Sequence, residues 1–250
     1  MIPTITQLVI SYAEKLLPVC TDGGNAHQEI WWFLQHVTGK RKAELLTMHP
    51  QASSTIMANL REQLEVLVFE RVTNKKPLQY IIGSVPFGDL TILVQPPILI
   101  PRPETEEWVL WTIEQYAPLA NEPLTILDLC TGTGCIGLEI ARALPSATVV
   151  GVDINPQAIA LAEKNKALNA IHNTTFVQGD LFEPVKNQHF DLIVANPPYL
   201  DEAEWDALDP QVTGWEDKQA LVAHDHGMAI YERIFAGART CLTGQALTNR

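Results

Sequence analysis

Basic residues, which a nucleic-acid partner requires, are scarce in most of this chain. Residues 1–80 hold eight Lys and Arg against seven Asp and Glu, but residues 81–250 hold nine against 22. From Tyr199 to Asp217 there is no Lys or Arg, while Asp201, Glu202, Glu204, Asp206, Asp209, Glu216 and Asp217 all fall in that interval. Duplex phosphates are bound by neutralising them, so the composition predicts no nucleic-acid partner. Cysteine is also sparse. Cys20, Cys130, Cys135 and Cys241 form no C-x-x-C pair and have no His at metal-ligand spacing, which predicts reduced thiols and no metal site. His224 and His226 flank Asp225 in a polar stretch and read as surface residues. No apolar run approaches the roughly 20 residues of a membrane span, so no membrane partner is expected. Met1 to Leu17 has no basic residue before Lys15 and no small-residue cleavage site, so no signal peptide is expected and the location reads as cytoplasmic.

What is present is an ordinary globular composition, 46% hydrophobic and 18% charged over 250 residues. That length suits one large domain with a smaller one. Residues 1–75 read as a helical bundle with helices over 4–19, 26–38, 41–47 and from Ser53 or Ser54 to Thr73. Ile30, Phe33, Leu34 and Val37 make one apolar stripe, and Ile56, Leu60, Leu64 and Leu67 another. Trp31-Trp32 is expected to be partly exposed. Residues 76–103 switch to period two: Ile81–Phe87 and Leu90–Val94 flank Gly88-Asp89 as a hairpin, and Pro96, Pro97, Pro101 and Pro103 mark an extended connector. Residues 104–250 alternate helix and strand. Pro103 and the acids after it open a helix to Tyr116. Strands follow over Leu124–Leu129, Thr148–Ile154, Thr174–Gln178 and Phe190–Ala195, with helices over Gly134–Leu144, Asn155–Leu168 and Met228–Leu242. The alternation predicts an α/β fold with a parallel, right-handed sheet.

The last of those strands runs into Asn196-Pro197-Pro198-Tyr199. Neither proline has an N–H, and the first drives Asn196 out of the α region, so the strand stops at a stiff corner. In open α/β sheets ligands bind at that end of the strands. A planar amide or exocyclic amino nitrogen is a poor nucleophile because its lone pair is delocalised. A corner of this type can accept both of its N–H groups, on the Asn196 side-chain oxygen and the Pro197 carbonyl, and hold it in line with an electrophile. Tyr199 can lie against the flat face of the same group. A strand end with a plain turn is the competing reading, and the rest of the chain has to decide.

The first βα turn reads Asp128-Leu129-Cys130-Thr131-Gly132-Thr133-Gly134-Cys135, whose small residues let backbone approach a ligand at a helix N-terminus. Asp153 ends the second strand, where a carboxylate can take two ribose hydroxyls. Gly179-Asp180-Leu181-Phe182 ends the third, a polar group with apolar neighbours for an adenine ring. The glycine turn and the ribose acid fit a nicotinamide dinucleotide equally well, but hydride transfer gives no role to Asn-Pro-Pro-Tyr.

Taken together these positions resemble the S-adenosylmethionine-dependent amino-methyltransferases. More narrowly, Pro77–Gly83, Phe87-Gly88, Ile98–Glu106 with its Arg-Pro-Glu-Thr-Glu, and Asn196–Tyr199 resemble the HemK-type release-factor glutamine methyltransferases, from about Leu60 to Leu242. The resemblance implies a Rossmann-like methyltransferase sheet preceded by a helical, substrate-recognising domain. It implies methylation of the glutamine amide nitrogen in the Gly-Gly-Gln motif of class-one peptide-chain release factors, with S-adenosylhomocysteine as product. Position by position it implies cofactor contacts at Cys130, Thr131, Gly132, Thr133, Gly134, Asp153, Asp180, Leu181 and Asn196. It places substrate contacts at Asn196, Pro197, Pro198 and Tyr199, with Asn196, Pro197 and Tyr199 catalytic. Ribosomal-protein glutamine methyltransferases are similar but typically lack Glu-Thr-Glu in the connector. A nucleic-acid amino-methyltransferase and a non-catalytic binding protein are the other readings, the first opposed by the acidic stretch after Tyr199. The family fold continues with a fifth strand and a hairpin. Here the last helix is followed only by Thr243–Arg250, so the expectation is a stub of strand, with shortening and cover by an oligomer partner both open.

Overall fold

The computed structural model describes residues 4–20, 23–47 and 54–243, which fall into two compact units. The first comprises Met1–Gly83 with Pro210–Trp215, and the second Ser84–Asp209 with Glu216–Arg250.

The first unit is helical: α1 (Ile5–Leu16), α2 (Gly23–Thr38), α3 (Lys42–Leu46), α4 (Ser54–Val72) and α5 (Leu78–Ile82), with α10 (Pro210–Thr213) from the later segment. A capping box starts α1: Thr4 Oγ1 accepts from the Gln7 N–H and the Thr4 N–H donates to Gln7 Oε1. The α2 stripe is as the spacing predicts, with Ile30, Phe33 and Leu34 fully buried. The α4 face is rotated from the expected one. Met57, Leu60, Leu64 and Val68 are buried, while Ile56 points outward and Leu67 is half-buried. Four apolar residues at helical spacing fit two adjacent faces of an apolar-rich helix, and packing against α1 and α2 selects between them. Ser54 already lies inside α4, so it is not the N-cap, and Ser53 falls outside the described residues. Of the tryptophan pair, Trp31 is buried and Trp32 exposed.

One element was unexpected. The residues before the hairpin form α5, bounded by Pro77 at its start and by Gly83, at φ +84, at its end. Pro77 pre-sets a helical φ nearby and glycine closes a helix in the left-handed region at little cost, so Leu78–Ile82 coils and the strand expected from Ile81 starts only at Ser84. The Glu29–Arg71 pair is buried in this unit as a two-bond fork, at 2.9 and 3.1 Å. Arg71 also donates to Gln211, and Trp215 Nε1 donates to the Asn74 carbonyl at 3.0 Å. In this way the 210–215 segment joins the helices.

The second unit opens with an antiparallel hairpin, β1 (Ser84–Phe87) and β2 (Leu90–Leu93), then α6 (Pro103–Tyr116). Strands β3 (Thr125–Leu129), β4 (Thr148–Asp153), β5 (Thr174–Gln178) and β6 (Leu192–Ala195) form a four-stranded parallel sheet in the order β5-β4-β3-β6. Helices α7 (Cys135–Ala143) and α8 (Pro156–Leu168) connect them; Asn155 caps α8 through the Gln157 N–H at 2.8 Å. After β6 come α9 (Glu202–Asp206) and α11 (Ala229–Cys241). Leu127, Leu129 and Phe190 are fully buried in the sheet core, and each such side chain contributes about 1.5–3 kcal/mol.

Strand order is what places the site. The chain runs β3, β4, β5 in one direction and then returns to put β6 on the other side of β3, a topological switch point. Leu129 pairs with Ala195, so Cys130 and Asn196 emerge side by side from neighbouring strands. Beyond α11, Leu242 makes a single parallel bridge to Phe190, and the Thr243 N–H donates to the Phe190 carbonyl at 2.9 Å. Residues 244–250 lie outside the described ones, and among the described residues β6 is a sheet edge.

Candidate active site

The turn after β3 is held from behind by Asp128, which is 0% exposed. Its Oδ2 accepts from the Thr131 hydroxyl and from the Gly137 N–H at 3.0 Å, while Oδ1 has no hydrogen-bond partner. Burial pushes its carboxyl up to about 7 from the ordinary 3.8, against the two hydrogen bonds. The folded chain therefore binds more protons than the unfolded chain between about pH 4 and pH 7, and this group's contribution to stability declines across that window as pH rises. Asp128→Asn should gain stability relative to the parent from pH 4 to pH 7 and hold that gain above it. Denaturant melts without cofactor check this, and a difference independent of pH refutes it.

Two residues of the turn are left-handed where it matters. Cys130 has φ +58 and Gly132 φ +55. Gly132 also lines a cleft of about 280 Å³, and a Cβ built on it would meet nothing nearer than the Cys130 carbonyl at 4.0 Å. A side chain there would occupy the cleft itself. Asp153, at the end of β4, closes the floor: Oδ2 accepts from the Gly132 N–H at 2.8 Å and Oδ1 from the Asn155 N–H at 2.9 Å. Each oxygen keeps a lone pair for a further donor. Burial raises its pKa, opposed by those N–H groups. Leu181, Val152, Ile98, Leu99 and Ile230 give the cleft apolar walls. Asp180 also lines it and is paired with Arg233 at 2.7 Å.

Asn196 lines both this cleft and a second, smaller slot of about 130 Å³. Its Nδ2 donates to Oγ1 of the buried Thr105 at 3.4 Å. Pro197 and Tyr199 line the slot with Arg102, Glu104 and Thr105. The corner is braced from outside: the N–H groups of Tyr199 and Leu200 both donate to the Leu221 carbonyl, and the Ala223 N–H donates to the Leu200 carbonyl.

The structure thus sorts the expected site residues. Cys130, Gly132, Asp153, Asp180, Leu181 and Asn196 line the larger cleft. Thr131, Thr133 and Gly134 do not. Thr131 is tied to Asp128, the Thr133 carbonyl accepts from Asn165 Nδ2 at 2.9 Å, and a Cβ on Gly134 would stand 2.9 Å from Phe176. These three build the turn, because a tight strand-to-helix passage needs its alternate residues facing inward. Pro198, expected against the substrate, lines the larger cleft, since successive residues of an extended corner face opposite sides. The connector Pro97–Leu99 and the segment Asp217–Ala220, which roof the cleft, were not anticipated. The Asp217 N–H donates to the Pro97 carbonyl at 2.8 Å, a contact without sequence signal.

The Arg-Pro-Glu-Thr-Glu motif is accounted for residue by residue. Arg102 pairs with Glu216, Pro103 starts α6, Glu104 lines the slot and Thr105 meets Asn196. Glu106 accepts the Gly88 N–H of the hairpin turn at 2.8 Å.

Comparison with known proteins shows the family. A PrmC N-terminal domain matches residues 9–83 and a Methyltransferase small domain matches residues 116–209. The release factor glutamine methyltransferase of Thermodesulfovibrio yellowstonii is 38% identical over 212 residues, 85% of this chain and 74% of that protein. The chain belongs to the release factor glutamine methyltransferase family. The Salmonella typhimurium member is 35% identical over 89% of this chain and 77% of its own length. The Geobacter sulfurreducens member is 41% identical over 67% of this chain and 57% of its own length. Like the family, the chain is an S-adenosylmethionine-dependent methyltransferase. The larger cleft fits that cofactor on its own chemistry, with a carboxylate for the ribose, apolar walls for the base and a glycine cradle that a side chain would fill. No helix among the described residues is long and apolar enough to cross a membrane.

Asp153→Ala should weaken S-adenosylmethionine binding about 30-fold, the roughly 2 kcal/mol of two charge-assisted hydrogen bonds. Unchanged affinity by calorimetry would remove Asp153 as the ribose ligand.

Proposed function

We propose that this chain transfers a methyl group from S-adenosylmethionine to the side-chain amide nitrogen of the glutamine in the Gly-Gly-Gln motif of class-one peptide-chain release factors. The observation that carries this reading is the position of Asn196, shared between the cofactor cleft and the adjoining slot. The bound cofactor supplies an electrophilic methyl on a cationic sulfonium. Asn196 Oδ1 and the Pro197 carbonyl accept the two N–H groups of the glutamine amide and hold its nitrogen facing the cleft. Tyr199 packs on the amide plane. Asn196 is held through Thr105, so little reorganisation is needed at the moment of transfer. The nitrogen–carbon bond forms as the sulfur–carbon bond breaks, and the nitrogen then gives up a proton to solvent. Among the described residues no group of three or more His, Cys, Asp or Glu could hold a metal ion, and the reaction as written calls for none.

The acid-rich stretch after Tyr199, including α9, supports a protein acceptor over a nucleic acid, because its carboxylates would repel phosphates. The slot is small, so recognising one glutamine in a whole protein needs a second surface, and the helical unit is our candidate for it. Purified release factor should be labelled from radioactive S-adenosylmethionine, and DNA, RNA and ribosomal protein should not. A short Gly-Gly-Gln peptide should be labelled far more slowly than the intact factor, with the loss mainly in apparent affinity. Labelling of nucleic acid in place of the release factor would overturn the substrate assignment.

A further inference from the structure

Glu216 is a buried carboxylate that this reaction leaves unused. Its side chain is 1% exposed, and Oε2 accepts from Arg102 Nη2 at 2.6 Å. Its other oxygen, Oε1, is buried without a well-aligned partner, although the Ile100 N–H lies close enough to favour the charged carboxylate. A carboxylate in the interior is costly, and burial raises its pKa against the pull of Arg102. What it holds is a guanidinium, 34% exposed, that lines the acceptor slot beside Glu104, Asn196 and Tyr199. The other guanidinium at the site, Arg233 in the cofactor cleft, is likewise matched by a carboxylate, Asp180. Every Lys or Arg lining the two cavities is therefore neutralised.

Both facts have a chemical reason. With its two N–H groups given to Asn196 and Pro197, a glutamine amide still presents its oxygen, and the peptide around it presents carbonyls. Arg102 is the charged donor of the slot. An unpaired guanidinium there would also oppose the sulfonium, which is a cation. We propose that Glu216 is a positioning residue acting through Arg102: it aims the remaining guanidinium N–H groups at an oxygen of the acceptor glutamine segment and cancels a charge that would disfavour the cationic cofactor.

This rests on the reading that the slot takes a glutamine amide, but half of the test needs no acceptor. In Glu216→Gln, which keeps the side-chain shape and loses the charge, KM for release factor should rise about tenfold with a smaller change in kcat. The affinity for S-adenosylmethionine should fall about fivefold relative to that for S-adenosylhomocysteine, whose thioether is neutral. Glu216→Asp should restore part of both. Arg102→Lys, which keeps the charge but not the planar fork, should raise KM and leave the ligand ratio unchanged. An unchanged ratio and KM in Glu216→Gln overturns the proposal. So does an equal loss for both ligands together with a lower Tm, the behaviour of a plain strut. Should Glu216→Gln not fold, unchanged KM in Arg102→Lys overturns it. If the release factor proves not to be the acceptor, the ligand ratio still decides the charge-cancelling half independently.

Discussion

Asn196→Ala should lower methyl transfer about 10³-fold while S-adenosylmethionine binds within about tenfold of its parental affinity. The asymmetry follows from the position of the residue. Asn196 forms only part of the wall of the larger cleft, whose carboxylate Asp153, glycine cradle and apolar faces all lie elsewhere. At the slot, on the proposed reading, its amide oxygen is one of two acceptors that fix the reacting nitrogen. An amide nitrogen held by one acceptor can rotate, and a nucleophile this weak reacts only when its residual lone pair faces the methyl group. If the helical unit supplies the second surface proposed for the acceptor protein, the loss belongs in kcat more than in KM. Single-turnover transfer from labelled cofactor and calorimetry of cofactor binding separate the two quantities. A loss of cofactor affinity as large as the loss of turnover would make Asn196 a cofactor ligand first.

Much of this arrangement is legible in the residues themselves because it depends on local chemistry. Two consecutive prolines stop β6 wherever it lies, glycines at 132 and 134 mark left-handed backbone, and an acid ending the second strand is a ribose candidate in any order of strands. Site features that depend on the tertiary neighbour are not legible. Nothing in Leu192–Ala195 says that β6 pairs with β3, and that pairing is what sets Asn196 beside the cofactor turn. Nor does the acidic run after Tyr199 distinguish its members. Glu202 ends on the surface against Lys218, whereas Glu216 is buried under Arg102. The same limit appears in the helices, where the face that α4 buries is chosen by α1 and α2. In α5 the limit is of another kind: a five-residue segment is too short to show a period, and the bounding Pro77 and Gly83 carry the information.

The loop that backs the reactive corner carries the second large effect. Gly227→Ala should reduce methyl transfer about 100-fold, with a smaller loss in cofactor affinity. Asp225, His226 and Gly227 are all left-handed, at φ +54, +53 and +80, and run together into α11. His224 and His226 are exposed, as their polar surroundings predicted, and Gly227 is buried beneath them. A Cβ at position 227 would stand 2.0 Å from the Tyr199 carbonyl oxygen and 2.7 Å from its carbon. Both are backbone atoms, so no side chain can swing aside, and alanine at that φ is strained as well. Relief comes from moving either Tyr199 or the start of α11. Tyr199 is expected to yield because its side chain is 49% exposed and little packed, although three backbone bonds to Leu221 and Ala223 brace its corner. The α11 segment is anchored by Arg233 on Asp180 and by Ile230 against the cleft. Displacing Tyr199 would misalign the slot that it lines and leave the walls of the larger cleft in place. Parallel loss of turnover and cofactor affinity in Gly227→Ala would instead show that α11 moves, and turnover at the parental rate would show that the corner tolerates the shift.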